Sequence, residues 1–161
     1  MRKIAVTLLP VLAVLAATAQ QSEPFKDPDE QNCVVTPFSA LTTPAGKFQR
    51  DVKERSSTQT LQIGERVELT ITQSGCAHYF IGISVRWLNG APPAAAAIRE
   101  ATAILKQLKE PEGQRMVAML AELLRKTPVS KLGKEQSAGE FASVVVAFEK
   151  GQLTLSYSFA A

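Results

Sequence analysis

The chain has 161 residues, 45% of them hydrophobic and 20% charged, with 18 Lys and Arg against 15 Asp and Glu. That balance excludes collagen-like, coiled-coil and disordered classes, and the length suits a single core that needs no structural metal or dense set of disulfides.

Residues 1–19 read as a secretory signal peptide. Arg2-Lys3 form a positive start, Ile4 to Ala16 an apolar run too short to span a bilayer, and Ala17-Thr18-Ala19 the small residues of a cleavage site. Mature chain would then begin at Gln20, periplasmic or secreted, with no membrane segment after cleavage. Losing Arg2 and Lys3 leaves 16 basic residues against 15 acidic ones, so the apparent basicity belongs mostly to the signal. No basic footprint for a nucleic-acid partner remains. Charge is still uneven, with a net of −3 over residues 20–46 and +4 over 99–134.

Residues 20–31 form a flexible acidic leader, and residues 32–161 a single globular domain. Cys33 and Cys76 are the two cysteines of the chain. In an oxidising compartment an even count predicts a disulfide between them, closing a loop of about 44 residues and pinning the leader to the sheet. The alternative is a metal site of Cys33, Cys76 and His78, since residues two apart on a strand share a face. That site lacks a fourth ligand, so no metal or other cofactor is expected.

One short strand is expected between Asn32 and Arg50, and Asp51 to Thr58 reads as a polar loop. Thr60-Leu61-Gln62-Ile63 is followed by Gly64-Glu65, after which Val67, Leu69 and Ile71 alternate with Arg66, Glu68, Thr70 and Thr72 as in a strand with one face on a core, and Gln73-Ser74-Gly75 marks a turn. Beyond it Tyr79, Ile81, Ile83, Val85 and Trp87 line one face of a strand and His78, Phe80, Gly82, Ser84 and Arg86 the other, which predicts an antiparallel hairpin. Pro93 suits the start of a helix running to about Lys109, and a second helix spans about Glu112 to Lys126. Thr127 to Glu140 is a polar crossing. Phe141–Phe148 and Gln152–Phe159 form a closing hairpin around Glu149-Lys150-Gly151. The predicted fold is therefore α+β: a small antiparallel sheet of two hairpins plus a short N-terminal strand, with two helices packed on one face.

No catalytic motif appears. A nucleophile and base would have to be Ser74 or a thiol of Cys76 with the single histidine, His78, and no phosphate-binding, dinucleotide-binding or zinc-protease pattern is present. The expected role is a non-enzymatic binding protein of the inhibitor, immunity or accessory type acting on another exported protein. A small-ligand or metal carrier is the alternative, and a hydrolase comes third. The alternation places the candidate interaction surface at His78, Phe80, Ser84 and Arg86, pointing away from the core.

Overall fold

The computed structural model describes residues 46–51, 55–75, 78–110 and 115–160. The expected signal peptide, the acidic leader and both Cys33 and Cys76 lie outside the described residues.

The elements are β1 (Lys47–Asp51), β2 (Ser56–Ile63), β3 (Val67–Gly75), β4 (His78–Trp87), α1 (Ala94–Gln107), α2 (Met116–Lys126), a single 3-10 turn at Val129–Lys131, β5 (Glu135–Ser137), β6 (Ala142–Glu149) and β7 (Gln152–Ala160). Among the described residues the strands make one antiparallel sheet of seven in the order β1-β2-β3-β4-β7-β6-β5. The α+β class is as expected, but the sheet is larger than two hairpins and a strand. Two additions account for this. The segment read as a polar loop contains the start of β2, whose Ser57 and Gln59 are buried although polar. The long crossing after α2 contains β5, a three-residue edge strand on β6.

The stretch from Thr60 to Ile71 is folded back on itself at Gly64-Glu65-Arg66. Gly64 takes φ 58°, the left-handed region that a side chain resists, and Ile63 then pairs with Val67. The closing hairpin turns in two residues between Glu149 and Gln152, with Lys150 at φ 50° and Gly151 at φ 77°. Positive φ at both central positions is the twist that matches right-handed strands.

Helix α1 begins at Ala94, with Pro93 just before it accepting hydrogen bonds from the amides of Ala96 and Ala97 at 2.8 and 2.9 Å. Helix α2 begins at Met116, and residues 111–114 of its expected first turn are outside the described set. Its first amides are satisfied from a distance: the Glu110 carboxylate accepts from Val117 N at 2.8 Å and Ala118 N at 3.2 Å. A negative group there suits the helix's positive end. At the other end Glu122 is held down to about 2, first by the Arg125 hydrogen bond and then by the charges of Arg125 and Lys126.

Both helices cover the same side of the sheet. Ala97, Ile98, Ala101, Leu105, Val117, Leu120 and Leu124 bury into one cluster with Leu61, Leu69, Ile71, Ile81, Ile83, Val85, Val146, Leu153 and Leu155. Every one of those strand positions has the same parity across the register. Trp87 closes this core, 6% exposed and edge-on to Phe148 at a centroid distance of 6.2 Å.

Candidate interaction face and groove

The opposite parity forms the outer face of the sheet. On it the rows run across the strands: Thr60–Thr70–Ser84–Thr154, Thr58–Thr72–Gly82–Ser156, and Ser56–Ser74–Phe80–Ser158–Ser143. Hydroxyls meet within rows, Thr58 Oγ1 to Thr72 Oγ1 at 3.4 Å and Thr60 Oγ1 to Thr70 Oγ1 at 3.5 Å. His78, Phe80, Ser84 and Arg86 all lie on this face, as the alternation requires.

The four are not equivalent. Arg86 sits directly opposite Glu68 and donates from Nη2 to its Oε1 at 2.8 Å. Ser84 Oγ accepts from Gln152 Nε2 at 2.6 Å, a contact between strands 68 residues apart in sequence. Both polar members are therefore engaged within the sheet. Phe80 is half-buried, its ring lying over Gly82: a Cβ built on that glycine would come within 3.1 Å of Phe80 Cε1. A glycine facing outward on a central strand gives the aromatic ring its seat. His78 is exposed.

Pairing of β4 with β7, and β7 with β6, brings a further set of residues to the His78 end of this face. His78, Phe80, Glu140, Phe141, Ser143 and Ser158, with neighbouring residues of β6 and β7, line a groove of about 400 Å³. Phe141 is 62% exposed, the most exposed large apolar side chain described. The sequence reading placed it at the start of a strand; instead it lies just before β6, its carbonyl accepting from Ala160 N at 3.0 Å. Gly139-Glu140-Phe141 carried one signal, an aromatic directly after a turn, but nothing local says that it will stand beside Phe80.

The inner face has a polar row as well. Arg50, Ser57, Gln73 and Gln136 align across the sheet with Ile81, Tyr157 and Val144. Gln73 Nε2 donates to the Tyr79 hydroxyl, which also approaches Met116 Sδ at 3.7 Å. Burial pushes the Tyr79 hydroxyl well above the usual phenol range, and the nearby Tyr157 adds to it. At the β1–β2 end a polar cleft of about 330 Å³ is lined by residues such as Arg50, Asp51 and Ser57.

His78 is opposite Ala160 and Ser74 opposite Phe80, so the serine and histidine weighed as nucleophile and base stand on separate rows. Among the described residues no three His, Cys, Asp or Glu side chains come together to hold a metal ion. Two of the three ligands weighed for a metal site, Cys33 and Cys76, are outside that set. No described helix is long and apolar enough to cross a membrane. No family model, curated protein or solved structure matches the chain.

Proposed function

We propose that this chain is a non-enzymatic binding protein, exported after loss of residues 1–19, that contacts another exported protein through the outer face of its sheet. The observation that carries the reading is the one-sided architecture: both helices pack on one face, while the other presents His78, Phe80 and Phe141 around a groove of about 400 Å³. An aromatic side chain that stays 62% exposed beside a groove is an anchor of the kind that dominates interface energies. The carrier alternative is less well supported. A ligand cavity between helices and sheet would be lined by Met116, Leu120 and Trp87, of which Leu120 and Trp87 are 0% and 6% exposed in the packed core and Met116 is partly buried against it.

The test is site-specific photo-crosslinking in the producing cell, with the probe at position 80 or 84 and a control at the exposed helix residue Arg99. Discrete adducts with one exported protein from positions 80 and 84, and none from 99, are expected. Adducts from 99 alone, or none from any position, would overturn the reading.

A further inference from the structure

The groove on the outer face is built from two successive rows of the sheet. The Phe141 carbonyl accepts from Ala160 N at 3.0 Å, which continues the pairing of Ala142 with Phe159 by one step. His78, Ala160 and Phe141 therefore form one row, and Phe80, Ser158 and Ser143 the next. Strand β7 supplies a floor of small side chains, Ser158 and Ala160, between a wall from β4 and a wall from the β6 side. Two strand spacings, about 10 Å, separate the backbones of the two walls. Phe80 and Phe141 stand diagonally across that floor, one on each wall.

We infer that the partner inserts an arginine side chain into this groove, with its stem on Ser158 and Ala160, its guanidinium against the phenylalanine rings and its donors on the Glu140 carboxylate. This rests on the partner-binding reading and names the group that enters.

Size, charge and hydrogen-bonding capacity select that group. A volume of about 400 Å³ over a floor one strand wide takes a single long side chain, whereas a helix with its side chains is about 10–12 Å across. Glu140 is exposed, and the groove lining contains neither Lys nor Arg. Among the described residues Glu140 has no basic partner. An apolar side chain would cover the two rings but leave that carboxylate desolvated and unpaired, a costly arrangement. The carboxylate and the Ser143 and Ser158 hydroxyls accept hydrogen bonds, and a guanidinium brings five donors and no acceptor. Its flat, weakly hydrated face also stacks on an aromatic ring, which the compact and strongly hydrated ammonium of lysine does less well.

The test has two arms. In the first, the purified chain, labelled with nitrogen-15, is titrated with the blocked tripeptide Gly-Arg-Gly and with its lysine and citrulline counterparts, citrulline being the uncharged relative of arginine. Saturable amide shifts at His78, Phe80, Phe141 and Ser158 are expected from the arginine peptide, with Kd on the order of 1 mM. The lysine peptide should bind roughly 2–5-fold more weakly, and the citrulline peptide should give no saturation. Glu140→Gln should weaken the arginine peptide roughly 2–5-fold, while Glu149→Gln, at the other end of β6, should leave it unchanged. No saturable shift, equal binding of the arginine and citrulline peptides, or an arginine Kd untouched by Glu140→Gln would overturn the inference. The second arm repeats the crosslinking from position 84 in Glu140→Gln. A lower adduct yield, and a partner segment containing arginine, are expected. An undiminished yield, or a mapped segment without arginine, sinks this inference and leaves the partner reading standing, whereas no adduct in the parent chain is a failure of the partner reading itself.

Discussion

Arg86→Glu tests whether the outer face is a prebuilt surface or an open one. Arg86 and Glu68 face each other in register, 2.8 Å apart, with side chains 54% and 31% exposed. An ion pair this wet contributes only about 0.2–1 kcal/mol. The reversal also sets two carboxylates opposite each other, which costs a similar amount on a cross-strand pair. A loss of about 1–1.5 kcal/mol follows, or roughly 3–8 °C in Tm for a domain of this size. Urea unfolding of the single variants Arg86→Glu and Glu68→Arg and of the charge-swapped double variant makes the cycle. The double variant should recover most of the loss. In 1 M salt, where the screening length is about 3 Å, the single-variant cost should shrink toward zero. A loss above about 3 kcal/mol would mean that Arg86 is held in a desolvated network, and no recovery in the swap would mean that the pair does not form. Either result would refute the reasoning, and with it the use of Arg86 as a surface group.

Leu120→Ala removes a side chain that is 0% exposed between the helices and the sheet, and should cost about 2–5 kcal/mol in urea unfolding. A cost under 1 kcal/mol would show that α2 does not pack as described. Tyr79→Phe removes the hydroxyl that accepts from Gln73 Nε2, costing about 1–3 kcal/mol for the donor left behind. Because burial raises the folded-state value of Tyr79 above that of the unfolded chain, its neutral form contributes stability that is complete below about pH 10 and lost as pH climbs beyond it. The native chain should therefore keep one phenol silent in a spectrophotometric titration past the ordinary range, and the Phe variant should lose part of the alkaline fall in stability. Titration of the Tyr79 phenol in the ordinary range would contradict the buried placement.

Some of this protein is local and so can be read along the chain. Period-two alternation in Tyr79 to Trp87 assigns each residue to a face before any partner strand is known, because neighbouring Cβ atoms must point to opposite sides. The same logic located α1, from its apolar spacing and the proline before it, and the tight turn at Lys150-Gly151. That His78, Phe80, Ser84 and Arg86 share one face was legible for this reason.

What tertiary structure decided is who stands beside whom. Gly64-Glu65-Arg66 interrupts the apolar alternation, and only the pairing of Ile63 with Val67 shows that the stretches on either side are two strands of one hairpin. Ser57 and Gln59 look like loop residues, yet they are strand positions whose burial depends on the neighbouring strands β1 and β3. Glu110 caps α2 across the intervening residues. Ser84 and Arg86, alike in sequence as outward polar groups, are taken up by Gln152 and Glu68. Phe141 comes to the same groove as Phe80 only because β7 lies between β4 and β6. Strand pairing between segments as far apart in sequence as β4 and β7 is chosen by the summed burial of whole faces, and no window of the sequence contains that sum.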